Sequence, residues 1–150
     1  MERLLKRQCG ECGKRELKLI NLKNTWVEGQ WKDFPRVYIE RDVMEITCGH
    51  CGEAAGTSKS AKDFDTAARE SIQHQVSFFI NRIKDKTKFR LTEIAERTSM
   101  GYQHLSDLKN GRSFPSYHYW GLLHSFSKKP ELLEQLNPEI NDAPPLSHHG

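Results

Sequence analysis

The chain has 150 residues, 36% of them hydrophobic and 29% charged, with a formal net charge of +3. That length holds one ordinary domain or two small ones, and small ones need bracing, because modules well under about 80 residues rarely build a sufficient core. No apolar run approaches the length of a bilayer span, and the opening MERLLKRQCGECG is too charged for a secretory signal, so the expected compartment is the cytoplasm, where thiols stay reduced.

The first element in chain order is a cysteine pair, CGECGK from Cys9, and a second copy, CGHCGE, begins at Cys48. Neither copy is followed directly by histidine, which removes the haem-attachment reading. A redox dithiol would leave the other pair unused, and the chain lacks thioredoxin-like strand–helix alternation. Each Cys-x-x-Cys-Gly matches a zinc knuckle, a tight turn whose glycine takes a conformation that side-chain-bearing residues dislike. Cys9, Cys12, Cys48 and Cys51 together supply the four soft donors of a closed tetrahedral site, which predicts one structural zinc ion and no open position for a catalytic water. His50 is expected to face solvent. Four thiolates and one zinc ion, four negative charges against two positive, would lower the formal charge from +3 to +1. Any affinity for nucleic acid must therefore come from the placement of charges and not from their sum.

Residues 13 to 47, between the two pairs, are too many for a compact finger with one helix and suit a ribbon of strands. LKLINLKNTWV and RVYIERDVMEITC read as extended segments, with Asp42 marking a turn. Trp26, Trp31, Phe34 and Tyr38 are either the core of this small ribbon or a partner-binding patch, since aromatics serve both roles. The first domain is set at 1–57. Zinc contributes on the order of 10 kcal/mol to the folding of such domains and replaces the core that they cannot build.

EAAGTSKSAKDFD, from Glu53, is small and polar, and 58–67 is expected to be a linker. The period then changes. Ile72, Val76, Phe79, Ile80 and Ile83 recur on one face of a helix and predict core packing. In LTEIAERTSMGYQHLSDLKNG, Thr92 is placed as the cap of a helix with Ile94 and Ala95 inward, Met100 is a buried turn residue, and Leu105 and Leu108 face inward on a second helix stopped by Asn110-Gly111. Pro115 and Pro130 sit where further helices begin, and Leu122, Leu123 and Phe126 form one apolar face. The second domain is set at 68–138, with five helical segments. The tail 139–150, including His148 and His149, is expected to be disordered.

The spacing of Ala95, Met100, Leu105 and Leu108 resembles the bacterial helix-turn-helix, with Ser99 where glycine usually stands, so a different backbone is expected there. With its neighbouring helices and the exit LKNGRSFPS, the second half looks like an Xre or lambda-repressor-type domain. The leading edge of the second helix then enters the major groove, where Tyr102, Gln103 and Ser106 project and Gln103 can pair with adenine. Lys109 and Arg112 are placed on phosphates, with Lys86, Lys88 and Arg90 on the approach. Asp107 would accept from a cytosine amino group, support a neighbouring arginine, or point away.

CGECG, TCGHCGE, LKNGRSFPS and KKPELLEQL, in that order, resemble the MqsA-type antitoxins, proteins with a YgiT-type zinc finger before an Xre-family domain. The resemblance covers roughly Cys9 to Leu136. It implies an α+β chain, a zinc ribbon of small antiparallel β structure followed by an all-α helix-turn-helix domain. It also implies a homodimeric repressor that binds double-stranded DNA at a palindromic operator, and a toxin protein held by the N-terminal domain. Gln103 falls where that family places a polar base-reading residue, and Asp107 falls where the family has arginine. The expected function is a DNA-binding repressor or autoregulator, the antitoxin of a toxin–antitoxin operon or a phage or mobile-element regulator. A protein-binding adaptor whose helices only dimerise is the alternative. No phosphate loop, supported pair of catalytic carboxylates or open metal site argues for an enzyme.

Overall fold

One helical turn, α1 (Glu2–Leu5), precedes the first cysteine pair, and four strands follow: β1 (Leu17–Asn21), β2 (Thr25–Trp31), β3 (Phe34–Ile39) and β4 (Met44–Cys48). The computed structural model describes residues 2–136. The tail expected at 139–150, with His148 and His149, and the last two positions of the 68–138 domain lie outside those residues.

β1 and β4 pair antiparallel, from Leu17 opposite Cys48 to Asn21 opposite Met44. β2 and β3 form a second antiparallel pair, from Thr25 opposite Ile39 to Trp31 opposite Phe34, with an irregularity between Glu28 and Trp31. In chain order the β2–β3 hairpin is therefore nested between β1 and β4, which pair directly with each other. Asn21 Nδ2 donates to Asp42 Oδ1 at 2.7 Å, which fastens the end of β1 to the turn expected at Asp42. Leu22, Phe34, Val37, Ile39, Val43 and Ile46 are buried around these strands, joined by Ala67, Ala68 and Ile72 of the following helix.

That helix, α2 (Ser58–Thr87), runs for 30 residues and overturns the linker expected at 58–67. Its start is chemically defined. Thr57 Oγ1 accepts from the Ser60 amide at 3.1 Å, and the Thr57 amide donates to Ser60 Oγ at 2.8 Å. This reciprocal pair is a capping box with serine in the place usually held by glutamate. The Gly/Ser-containing stretch is a helix cap and not a hinge, and neither proline nor glycine interrupts the chain from Ser58 to Thr87. The described residues separate into two compact units that part within α2, between Ile72 and Gln73.

In the second unit, α3 (Leu91–Thr98), α4 (Tyr102–Lys109), α5 (Tyr117–Lys128) and α6 (Pro130–Gln135) follow. The stripe of Val76, Phe79, Ile80 and Ile83 packs with Ile94, Ala95, Met100, Leu105, Leu108, Leu123, Phe126 and Leu133 in one core. Burying each large apolar side chain contributes about 1.5–3 kcal/mol, which is what holds helices this short. The cap expected at Thr92 is displaced. Arg90 occupies the N-cap position with no side-chain bond. Leu91 packs against the core and draws the helix start upstream, leaving Thr92 exposed within the first turn. Ser116 caps α5 by accepting from the Tyr119 amide at 3.1 Å, and Pro130 is the first residue of α6. Arg97 Nη1 donates to the carbonyls of Leu133, Glu134 and Leu136 at 3.3, 2.9 and 2.7 Å, satisfying the orphan acceptors at the end of α6. The chain is thus mixed α+β, with a small antiparallel region near the N-terminus and several helices after it.

Candidate metal centre and candidate nucleic-acid interface

The nested topology brings the cysteines together. The first pair precedes β1 and the second begins at Cys48, the last residue of β4, so antiparallel pairing of these strands places both turns at one end of the sheet. The two turns are built alike. The Cys9 amide donates to the Lys14 carbonyl at 2.8 Å and the Gly13 amide to the Cys9 carbonyl at 2.9 Å. Correspondingly, the Cys48 amide donates to the Glu53 carbonyl and the Gly52 amide to the Cys48 carbonyl, both at 2.9 Å. Gly13 (φ 72°) and Gly52 (φ 79°) occupy the left-handed conformation that closes each turn.

All four thiols are free, and the four sulfurs lie within 4.8 Å of one another. Cys9 Sγ is 3.5 Å from Cys51 Sγ, and Cys12 Sγ is 3.6 Å from Cys48 Sγ. A tetrahedron with metal–sulfur bonds of about 2.3 Å has edges of about 3.8 Å, so the spacing fits one metal ion. The amide of Cys51, and then that of His50 at 3.4 Å, stabilise the Cys48 thiolate and bring its pKa down to about 6. For Cys51 the Glu53 amide favours the thiolate, but desolvation and the three neighbouring thiols outweigh it and push the pKa up to about 12. Sulfurs this close do not all ionise unless a cation lies among them. His50 is exposed, as expected, and its Nδ1 lies 3.7 Å from Glu16 Oε2.

The aromatic segment divides between its two readings. Phe34 is buried in the ribbon core. Trp31 is half-buried, and Trp26 pairs across the hairpin with Tyr38 on the outer face, ring centroids 5.3 Å apart. Trp26 is 43% exposed, with the Arg36 guanidinium 4.5 Å from its ring centre.

In the second unit, α3 and α4 end with the same chain reversal. The Ser99 amide donates to the Glu96 carbonyl at 3.3 Å and the Met100 amide to the Ala95 carbonyl at 3.0 Å. The Gly111 amide donates to the Leu108 carbonyl at 3.3 Å and the Arg112 amide to the Asp107 carbonyl at 2.8 Å. Both are Schellman motifs. The expectation of a different backbone at Ser99 is overturned, since Ser99 adopts the left-handed conformation itself, φ 57° and ψ 25°. Two reversal bonds and the burial of Met100 offset the roughly 1 kcal/mol that this conformation costs a residue other than glycine.

The turn presents the leading edge of α4. Leu105 and Leu108 are buried, while Tyr102 (51% exposed) and Gln103 face solvent. Ser106 is half-buried, its carbonyl accepting from Asn110 Nδ2 at 2.9 Å. Lys109 is half-buried, its carbonyl accepting from Ser77 Oγ at 2.7 Å, and Arg112 is exposed just past the helix. Lys86, Lys88 and Arg90 are exposed as well. Asp107 supports its neighbours: its Oδ1 accepts from Gln103 Nε2 and from Arg112 Nε, each at 3.0 Å. Those bonds, that of Arg112 first, hold the Asp107 carboxyl below the ordinary carboxylate range. The bracing by Asn110 was not read from the sequence, although Asn four residues after Ser is a spacing that permits it.

Neither a family model nor a curated protein matches the chain. Among the described residues, no helix is long and apolar enough to cross a membrane.

Proposed function

We propose that the chain is a zinc-stabilised, sequence-specific DNA-binding repressor acting as a homodimer on a palindromic operator, in the manner of an antitoxin or autoregulator. The observation that carries this reading is the outward placement of Tyr102 and Gln103 at the start of α4, on a helix pair whose opposite side is sealed by Ile94, Ala95, Leu105 and Leu108. Such an edge is what a helix-turn-helix offers to the major groove. Gln103 would read adenine, Tyr102 and Ser106 would touch neighbouring base edges or phosphates, and Lys109 and Arg112 would neutralise phosphate. Two copies about one DNA turn apart would block a promoter by occupancy.

Four sulfur donors and no oxygen donor favour zinc over harder cations. Zinc held by Cys9, Cys12, Cys48 and Cys51 would serve as a structural cross-link, with no coordination position left for chemistry.

The test is titration of the chain with duplex DNA from upstream of its own gene, and with scrambled duplex, at several salt concentrations. Specific binding should show a linear fall of log affinity with log salt and should lose its sequence preference in Gln103→Ala. Equal affinity for scrambled DNA, or none for either, overturns the reading. The exposed Trp26–Tyr38 pair favours a second activity, a grip on a protein partner such as a toxin, by the β2–β3 hairpin. Trp26→Ala should abolish that grip and leave DNA binding intact.

A further inference from the structure

Apart from the cysteine cluster, the first unit holds a cleft of about 350 Å³. Its walls are mainly apolar: Leu22, Val27, Trp31 and Val43 on the strand side, and Phe64 from the second turn of α2. Gly56 and Ala61 also line it, and their small size keeps the space open where larger side chains would fill it. Small-molecule sites have this character, with volumes of about 300–1,000 Å³, apolar walls and few polar groups.

The polar groups of the lining fall into two classes. Ser60 Oγ is engaged with Thr57, and Asp65 accepts from Arg69 Nε at 3.0 Å. Glu45 is different. It is half-buried on this apolar wall, and among the described residues no hydrogen bond or ion pair reaches its carboxylate. Desolvation accordingly raises its pKa. The lining contains no lysine, arginine or histidine. Two cations lie near Trp31, Lys32 Nζ at 5.6 Å and the Arg69 guanidinium at 5.9 Å from the ring centre. A carboxylate drawn partly out of water without a counter-charge raises the free energy of the empty cleft, and a bound cation would offset that cost.

We propose that this cleft binds a small organic cation, with an aromatic or bulky apolar body lying between Trp31 and Phe64 and an ammonium group donating to Glu45. An anionic ligand would be repelled by the carboxylate, and a neutral one would leave its charge unbalanced. The site lies wholly within the first unit and is independent of the DNA-binding reading.

The chain has three methionines, Met1, Met44 and Met100, which makes methyl-labelled methionine a compact probe. Met44 lines the cleft, and Met100 is buried in the second unit as an internal control. The full zinc-loaded chain would be titrated with 2-(1-naphthyl)ethylammonium, with the matching neutral alcohol and with the matching carboxylate, following the methionine methyl resonances. The Met44 methyl should shift saturably with the ammonium compound while Met100 stays in place. The ammonium should bind about tenfold more tightly than the alcohol, the usual scale for one charge-assisted hydrogen bond, and the carboxylate should not bind. Glu45→Gln should remove that margin and leave the affinity for the alcohol unchanged. Ala61→Trp, which fills the cleft while keeping Glu45, should abolish binding of both. The proposal is overturned if Met44 does not shift, if the alcohol or carboxylate matches the ammonium, or if either variant, its β1–β4 and β2–β3 strands shown folded by amide-exchange protection, binds as the parent does.

Discussion

Replacing Asp107 by asparagine isolates one negative charge on the outward side of α4. The carboxylate now holds both Gln103 Nε2 and Arg112 Nε at 3.0 Å, so in the free chain the proposed reader of adenine and a proposed phosphate contact are tied to the same oxygen. Asparagine keeps the shape and an acceptor oxygen but releases the charge of Arg112 for phosphate. Each phosphate neutralised adds about 0.9 to the slope of log affinity against log salt, so freeing one arginine in each protomer of a dimer should steepen the slope by about 2. Over a fourfold rise in salt that extra slope amounts to about a tenfold additional loss of affinity. Asp107→Asn should therefore bind upstream duplex more tightly than the parent at low salt and lose that advantage as salt rises, measured by fluorescence anisotropy at four or more salt concentrations. The scrambled duplex should gain at least as much, because the added contact carries no sequence information. A variant with the parental slope, or one weaker at every salt, would refute the reasoning and mean that Asp107 itself accepts from a base. The sign with pH is set by the direction of the shift. The folded Asp107 pKa lies below its ordinary 3.8, so the pairing is intact above that value and is lost as pH falls through the lower, folded one. Near neutral pH the parent should show no trace of this titration.

Three further outcomes follow from the same geometry. Chelating the proposed zinc ion, or replacing Cys48 by serine, should remove about 10 kcal/mol of support and unfold the β1–β4 and β2–β3 sheets, while the α3–α6 core still unfolds cooperatively; amide exchange resolved by residue measures both, and protected strands in metal-free protein would contradict it. Ser99→Gly should raise stability by up to about 1 kcal/mol in denaturant unfolding, and a loss would mean that the Ser99 side chain is needed in the turn. Leu105→Ala should cost about 2–5 kcal/mol, against under about 0.5 kcal/mol for the exposed Gln103→Ala, so equal losses would show that Gln103 is structural.

What was legible in the sequence was local. The two Cys-x-x-Cys-Gly repeats fix their own turns, because the bonds that build each knuckle run between residues at most five apart. The apolar stripe from Ile72 to Ile83 and the inward residues of α3 and α4 were readable from period alone, and all are buried. The start of α2 was misread because Thr57 and Ser60 are turn-forming residues as well as capping ones, and only the reciprocal bonds between them separate the two roles. The aromatic segment resisted for another reason. Phe34 faces inward although strict alternation with Val37 and Ile39 would turn it outward, since the register shifts between Glu28 and Trp31. The nesting of one hairpin inside another sheet depends on pairings between residues more than twenty apart and has no local signature.

Asp107 marks the same boundary within the candidate interface. Gln103 and Asp107 stand four apart on one helix, and their contact follows from the helical repeat. Arg112 lies beyond the helix end, where that repeat no longer applies. It reaches Asp107 because Gly111, at φ 72°, reverses the chain and the Arg112 amide bonds back to the Asp107 carbonyl. The Asn-Gly that was readable as a helix stop thus has a second effect: it returns an arginine to the carboxylate one turn earlier and sets which charges stand free on the outward side of α4.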